Sequence, residues 1–323
     1  MPHFSKSGPG SHSSPRPDPA SAEFVAPAGG IRPRGASVYR GAPTRPAAAP
    51  VPPAPVVRPV DPAQPVPPGS RSAPARHDEL KLCGLAAVRA RFARDPASIQ
   101  RLFFDYATGR QIGVMCKVLA QAKKVYRCVE PAELEKIAGS LHHGGIVAVV
   151  APPPLRIPMA ADLKKWAAKG EAVLVLDRIG NAHNLGAIAR TAAFFGIPKI
   201  VIPDDPGAAR PTDAAHRVAE GGFEHLEVWK VGGLVAFIRE LTEAGYDVVG
   251  AATKSGRLEK RSTKDGKREQ PVALVLGNEE HGLTPEVAAA CTRLVTIPGK
   301  GQVESLNVSV AAALLMWELL ARR

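Results

Sequence analysis

The 323-residue sequence contains few cysteines and lacks the spacing that would place them in a structural site. The adjacent histidines His142 and His143 have no third plausible metal ligand nearby, so we predict no metal site. The absence of any C-x-x-C pair argues against a zinc ribbon and a disulfide scaffold, and it suits a reducing cytoplasm. The four cysteines are scattered along the chain: Cys83, Cys116, Cys128 and Cys291.

The chain also lacks a recognisable targeting or membrane-spanning segment. The N-terminus has no apolar core of a signal peptide. The longest apolar stretch, Val308 to Leu320, contains Ser309 and Glu318 and is too short to cross a bilayer. Signatures of dinucleotide-binding, P-loop, zinc-protease and serine-hydrolase proteins are missing as well. These absences predict a soluble cytoplasmic protein without those activities.

Proline and positive charge are concentrated at the N-terminus. Residues 1–77 hold 19 of the 32 prolines and nine Lys/Arg against three acids, which is half of the chain's net charge of +12. Such a composition cannot bury enough apolar surface to offset the entropy of ordering, so we predict a disordered basic tail. The sequence pI near 9.8 favours a polyanionic partner, with nucleic acid as the first candidate.

The rest of the chain is rich in aliphatic residues and divides into two parts. Alternating helix and strand patterns over 78–151 predict a compact α/β module. Consecutive prolines at 152–154 break regular structure and begin a predicted linker, 152–170. From Glu171 to the end, short apolar runs between helices predict a doubly wound parallel sheet. Its predicted strands are Val173–Leu176, Lys199–Ile202, Leu226–Trp229, Asp247–Ala251, Val272–Leu276 and Leu294–Ile297.

Three polar segments follow strands of this sheet, where ligands bind in open parallel sheets. The first contains Asn184 and Arg190 on a predicted helix, and Arg190 lies off its apolar stripe. Arg190 is therefore available to a loop or a ligand. An equally supported interpretation makes Asn184 only a helix cap and Arg190 only a solvated side chain.

The second segment begins with Gly277 and places Glu279 directly after a strand. Gly277 allows a ligand to approach the backbone closely. The alternative is a tight turn whose glutamates face water.

The third segment leads into the final helix and crowds Ser305, Asn307 and Ser309 at its start. A single helix cap needs only one of these side chains, so the surplus favours a ligand or substrate. Redundant capping is the alternative.

Together, the three segments resemble the three motifs of the SpoU/TrmH family of RNA ribose 2′-O-methyltransferases. Residues 82–88 and 142–148 resemble the two ends of that family's small substrate-binding domain, whose fold is similar to ribosomal protein L30e. The resemblance covers residues 78–323 and leaves the tail unexplained. Its three motifs are Asn184-x-Gly186-x-x-x-Arg190-Thr191-Ala192, Leu276-Gly277-Asn278-Glu279 with Gly282-Leu283, and Ile297-Pro298 through Ser305-Leu306-Asn307-Val308-Ser309-Val310-Ala311.

This resemblance implies an α/β SPOUT fold, in which the doubly wound sheet carries a C-terminal trefoil knot after a small L30e-like domain. It implies S-adenosyl-L-methionine as cofactor, an rRNA or tRNA substrate, and a homodimer formed through the C-terminal domain. The residues it assigns to the cofactor are Leu276, Gly277, Ile297, Pro298 and Leu306.

The resemblance also assigns Arg190 to activating the ribose hydroxyl, supported by Asn184, Glu279, Ser305 and Asn307. A guanidinium is essentially always protonated, so we favour electrostatic stabilisation by Arg190 over proton abstraction. Two segments depart from the family pattern: Gly299-Lys300-Gly301, where members often carry Met, and the stretch 219–223.

Two further hypotheses come from the charges and the motifs. The loop 254–269 has seven Lys/Arg against three acids and is either an RNA-backbone contact or a solvated surface loop. An alternative function is a catalytically weak or inactive RNA-binding or assembly factor of the same fold. The intact Arg190, Glu279 and Asn307 favour the enzyme.

Overall fold

The computed structural model describes residues 79–252 and 270–321. The predicted basic tail and the basic loop 254–269 lie outside the described residues. No helix within the described ranges is long and apolar enough to cross a membrane.

Residues 79–151, hereafter the small module, form a four-stranded mixed sheet with helices packed on it. The strand order is β1-β4-β2-β3, with β4 antiparallel to both of its neighbours and β2 parallel to β3. Its elements in chain order are β1 (Leu80–Cys83), α1 (Leu85–Arg94), β2 (Ile99–Phe104), the turn α2 (Tyr106–Gly109), α3 (Gly113–Gln121), β3 (Val125–Cys128), α4 (Pro131–Ala138) and β4 (Ile146–Val150).

The small module follows the predicted alternation of helix and strand, with two differences at its start. The first strand, β1, was not predicted because only Leu80 and Leu82 of its four residues are buried. The second strand extends beyond its continuous apolar run Leu102–Phe104, since it begins at Ile99 and includes the exposed Gln100 and the half-buried Arg101.

The second half of the predicted linker 152–170 is a helix, α5 (Ala160–Ala168). Its side chains Leu163 and Trp166 are buried in a cluster with the strand residues Val173 and Val175. Through these two buried side chains α5 belongs to the C-terminal part of the structure, residues 160–321, which is called the large domain below.

The large domain contains a six-stranded sheet whose paired strands are all parallel, in the order β10-β8-β9-β5-β6-β7. The predicted parallel sheet is confirmed, with strand ends shifted by one or two residues. The strands are β5 (Val173–Leu176), β6 (Lys199–Pro203), β7 (Glu227–Val231), β8 (Asp247–Ala251), β9 (Val272–Leu276) and β10 (Arg293–Val295). The helices are α6 (Ala182–Phe194), α7 (Asp213–Ala219), α8 (Leu234–Glu243), α9 (Pro285–Ala290) and α10 (Val308–Met316), followed by a π-helical turn, Trp317–Ala321.

Both faces of this sheet are covered, as its continuous apolar strands require. Leu174 and Leu176 of β5 pack with α6 and α10 on one face. Val173 and Val175 pack with α5 and α8 on the other. Because side chains alternate along a strand, the four-residue run Val-Leu-Val-Leu serves two cores at once.

The small module packs against one segment of the large domain. Arg94 of α1 donates from Nη1 to the carbonyl oxygens of Phe223, Glu224 and Leu226, at 3.1, 2.9 and 3.3 Å. Arg91 Nη2 lies 2.9 Å from Glu224 Oε1, and both side chains are buried. Burial raises the pKa of Glu224, and the two arginines oppose that shift. This contact fixes the module to the domain with charges that water does not screen.

Candidate active site

The first and second motifs meet at the centre of the sheet because their strands are neighbours. Leu176 at the end of β5 pairs with Leu276 at the end of β9. The next residue, Asp177, donates its backbone N–H to Leu276 O at 2.7 Å, and its carboxylate accepts from the backbone N–H of Thr284 at 2.8 Å. These bonds tie the loop after β5 to the loop after β9.

Asn184 is a buried residue inside α6 and does not cap it. The helix begins at Ala182, and Asn181 is the cap, since its side chain accepts from the backbone N–H of His183 at 2.8 Å. Asn184 Nδ2 instead donates to Glu279 Oε1 at 2.8 Å. The interpretation of Asn184 as only a helix cap is therefore wrong.

Glu279 links the second motif to the third. Besides accepting from Asn184 through Oε1, it accepts at its main-chain oxygen from Ser305 Oγ at 3.3 Å. Its other carboxylate oxygen, Oε2, is buried and has no hydrogen-bond partner among the described residues. The neighbouring Glu280 is exposed, so one of the two glutamates faces water and the other turns inward.

Asn307 acts both as the cap of α10 and as a member of the site. Its Oδ1 accepts from the backbone N–H of Ser309 at 2.9 Å, while its Nδ2 donates to Asn184 Oδ1 at 3.1 Å. Ser305, Glu279, Asn184 and Asn307 thus form one connected hydrogen-bonded chain, called the polar chain below. Four of the five predicted catalytic residues are brought together in it.

Arg190, the fifth, lies outside the polar chain. It sits more than one turn further along α6, with an exposed side chain. Its Nη1 forms an ion pair with Glu220 Oε1 at 2.9 Å. Arg190 is exposed, as the alternative interpretation expected, but it has a defined partner on another element.

All five predicted cofactor residues line one cavity of about 570 Å³ next to the polar chain. Leu276 and Gly277 form one wall, and the loop from Ile297 and Pro298 to Leu306 forms another. A Cβ at position 277 would collide with the main chain of Gly282 and Leu283, so only glycine fits there.

The cavity suits a ligand that brings its own hydrogen-bond donors and acceptors. Among the described residues, no hydrogen bond occupies the main-chain groups of Gly277, Ile297 or Leu306. The inward oxygen of Glu279 and the hydroxyl of Thr296 are both buried without a partner. Buried polar groups are almost always paired in native proteins. An unpaired carboxylate favours a ligand with positive charge or a donor group.

Thr296 is the site residue that sequence reasoning missed. It lines the cavity immediately before Ile297, and the only available signal was its place between a strand end and the third motif. Asn278, which the second motif contains without an assigned role, donates from Nδ2 to Arg178 O at 3.2 Å and helps to join the two loops.

Two family models match the chain. The model of the SpoU rRNA Methylase family matches residues 171–317, and the model named RNA 2′-O ribose methyltransferase substrate binding matches residues 81–156. The two matches correspond to the large domain and the small module.

Relatives of known name match over most of the described chain. A 23S rRNA (guanosine-2′-O-)-methyltransferase, RlmB, from Nitrosomonas europaea is 33% identical over 237 residues, which cover 73% of this chain and 88% of that protein. An uncharacterized tRNA/rRNA methyltransferase, YfiF, from Escherichia coli O157:H7 is 32% identical over 247 residues, which cover 75% of this chain and 68% of that protein.

Among solved structures, an AdoMet-bound rRNA methyltransferase from Sinorhizobium meliloti matches with a TM-score of 0.59 at 24% identity. The match covers 74% of this chain and 86% of that one, and it confirms the predicted α/β fold with a parallel sheet. The matched models and relatives cover both folded units, so the chain belongs to the SpoU family of RNA ribose 2′-O-methyltransferases, as its three motifs predict.

Proposed function

We propose that this protein transfers a methyl group from S-adenosyl-L-methionine to a ribose 2′-hydroxyl of RNA, using the cavity beside the polar chain as its cofactor site. One observation carries the proposal: the second and third motifs line a cavity that holds unpaired buried polar groups, and Asn184 of the first motif is hydrogen-bonded to both motifs beside it. The relatives named as 2′-O-methyltransferases support the reaction.

The residues present fit this cofactor. It supplies a methyl group already activated by a sulfonium charge. The inward carboxylate oxygen of Glu279 offers negative charge to a cationic ligand, and Thr296 offers a hydroxyl. The free main-chain groups of Gly277, Ile297 and Leu306 can form hydrogen bonds with polar groups at the edge of the cofactor. The side chains of Leu276 and Leu315 provide an apolar wall of the cavity.

The polar chain would act by holding its members in fixed positions. Asn184 uses both ends of its amide, so its orientation is set by Glu279 on one side and Asn307 on the other. Ser305 fixes the main chain at Glu279. Preorganised groups cost little reorganisation during reaction, which is the main source of electrostatic catalysis.

Arg190 would stabilise the negative charge that develops on the ribose oxygen. Its guanidinium stays protonated, so it offers fixed positive charge and hydrogen-bond donors rather than a base. Its exposed position leaves it accessible to an RNA ribose and phosphate.

RNA would bind partly on the exposed edge of the small module. Every residue of β3 is exposed, including Tyr126 and Arg127, and Tyr106 is exposed as well. Aromatic rings and guanidinium planes stack on unpaired bases, and arginine also neutralises phosphate. The names of the relatives make 23S rRNA the first substrate to test, and such a substrate agrees with the predicted cytoplasmic location.

We also propose a homodimer formed through the large domain. Val310, Leu314 and Trp317 lie on one exposed stripe at the C-terminus, and Phe194 at the end of α6 is 83% exposed. Trp317 packs on Phe195, with ring centroids 6.0 Å apart, which joins the two surfaces. An exposed apolar patch of this kind marks a protein interface. A dimer mass at micromolar concentration that becomes monomeric in Leu314→Glu supports it; a fully active monomer contradicts it.

The function is tested by transfer of tritium from methyl-labelled S-adenosylmethionine to unmethylated ribosomal RNA. Label should enter the RNA with the wild-type protein. A protein that binds RNA and the cofactor but transfers no label would instead be the inactive RNA-binding factor.

A further inference from the structure

A segment of the large domain lies between Arg190 and the small module. It comprises Glu220–Leu226 and is called the junction segment. A Cβ added at Gly222 would lie 3.0 Å from Ala189 O and from Arg190 Cα, so the segment touches α6 at Arg190 itself. A Cβ added at Gly221 would lie 3.2 Å from Ala87 Cα in the small module. The two glycines permit this close approach on both sides.

The small module holds the junction segment in place. Arg94 donates to three of its carbonyl oxygens, and the buried Arg91 forms the ion pair with Glu224. Removing one partner of such a buried pair strongly destabilises the folded protein, because the other charge is left buried without compensation. The position of the junction segment therefore depends on the docked module.

Glu220, at the start of the segment, adopts an unfavourable backbone conformation. Its φ is 45°, in the left-handed region, where it ends helix α7. A residue with a Cβ pays free energy for that conformation, whereas glycine at such a helix end does not.

The partner of Glu220 is Arg190, and their ion pair is exposed at both ends. Exposed ion pairs add little to stability because water and salt screen them. The pair therefore does not compensate for the backbone strain as a stabilising device. What it does achieve is to hold the guanidinium of Arg190 in one orientation.

We propose that Glu220 is a positioning residue for Arg190, and that the junction segment makes this positioning depend on docking of the small module. The inference rests on the proposed function, in which Arg190 stabilises the reacting ribose oxygen. The carboxylate fixes the direction of the guanidinium, and the two glycines that follow it in the sequence hold the backbone of the junction segment close to α6 and to the module.

Two substitutions test the proposal. Glu220→Gly removes the carboxylate and relieves the backbone strain, and Glu220→Gln removes only the charge. Both should lower kcat at least about tenfold, since misplacing a catalytic group by 1 Å can cost about a hundredfold. The KM for S-adenosylmethionine should stay unchanged, and the Tm of Glu220→Gly should equal or exceed that of the wild type.

Asp204→Asn is the matched control. It removes another exposed carboxylate that pairs with cations, Arg210 and Lys230, both at 3.0 Å, and its kcat should match the wild type. If both Glu220 variants keep wild-type kcat while Arg190→Ala is inactive, this inference is overturned and the proposed function stands. If the wild-type protein transfers no methyl group, the proposed function itself fails.

Discussion

The polar chain and the Arg190–Glu220 pair are built in contrasting ways, although both belong to the proposed active site. The polar chain is partly buried, with Asn184 in the interior, and sheet topology fixes it because its members follow neighbouring strands or begin the helix packed on them. The Arg190–Glu220 pair is exposed and depends on contacts to the small module. From this contrast we infer a division of labour: the polar chain contributes to binding of the cofactor, and the Arg190–Glu220 pair acts on the RNA substrate.

Loss of Arg190 should have the largest effect on catalysis. Arg190→Ala is expected to lower kcat at least about a hundredfold, the cost typical of removing one group that stabilises developing negative charge. Because the side chain is exposed, the Tm and the affinity for S-adenosylmethionine should be retained. Single-turnover methyl transfer measures the rate, thermal unfolding the Tm, and calorimetric titration the affinity. Near wild-type turnover would show that Arg190 has no catalytic role.

Loss of the Glu279 charge should have the complementary effect. Glu279→Gln keeps the shape and one oxygen for Asn184, but it neutralises the buried carboxylate. The Kd for S-adenosylmethionine should rise about tenfold or more, since a hydrogen bond to a charged group contributes about 1.5–3 kcal/mol.

Glu280→Gln is the matched control for that measurement, because Glu280 is the exposed neighbour. Its Kd should equal that of the wild type in the same calorimetric titration. Equal affinities for all three proteins would separate the polar chain from cofactor binding and break the proposed division of labour.

The contrast between these two regions also explains which parts of the site could be predicted from the sequence. Asn184, Glu279, Ser305 and Asn307 each follow a strand or start a helix, and parallel strands bring their carboxyl ends to one edge. Their convergence was therefore predictable once the strands were assigned. Which atoms pair was not, as the capping role of Asn181 in place of Asn184 shows.

The partner of Arg190 could not be predicted in the same way. Glu220 lies 30 residues further along the chain, and its position depends on two glycines that pack against elements of different domains. Nothing in the local sequence pattern encodes that packing. Helix α5 was not predicted for a related reason. Its buried apolar residues are only Leu163 and Trp166, and they lie among charged residues in the sequence.

The pH dependence of the free energy of unfolding tests whether the contact around the junction segment is buried. Burial, aided by the charge of Arg91, lowers the pKa of His216 to about 3, and its ring lies 4.6 Å from that of Phe223. Between pH 6.5 and 3 the unfolded chain binds a proton here that the folded chain does not. The free energy of unfolding should therefore fall as the pH drops through this window, by up to about 1.4 kcal/mol per pH unit.

Denaturant unfolding at several pH values measures that slope. His216→Gln should show a shallower loss of stability on acidification than the wild type, while the exposed His281→Gln should not. The raised pKa of Glu224 acts with the opposite sign, since it makes the folded chain the better proton binder. Identical slopes in wild type and His216→Gln would mean that His216 is not buried in its neutral form.

Removal of the predicted basic tail should have the smallest effect, on RNA binding alone. Deleting residues 1–77 takes away nine cations. For every phosphate of single-stranded RNA that the tail neutralises, its deletion should flatten the log–log salt dependence of binding by roughly 0.7. The saturated kcat should be unchanged, because the tail precedes both folded units. A salt slope unaffected by the deletion would identify the tail as a solubilising leader without an RNA role.

Ribose methylation is tested most directly by identifying the atom of the RNA that receives the methyl group. Unmethylated ribosomal RNA is incubated with the protein and methyl-labelled S-adenosylmethionine, then digested to nucleosides and separated. We expect the label in a 2′-O-methylnucleoside, and we expect no label with Arg190→Ala. Label in a base-methylated nucleoside, or an unlabelled RNA, would contradict it.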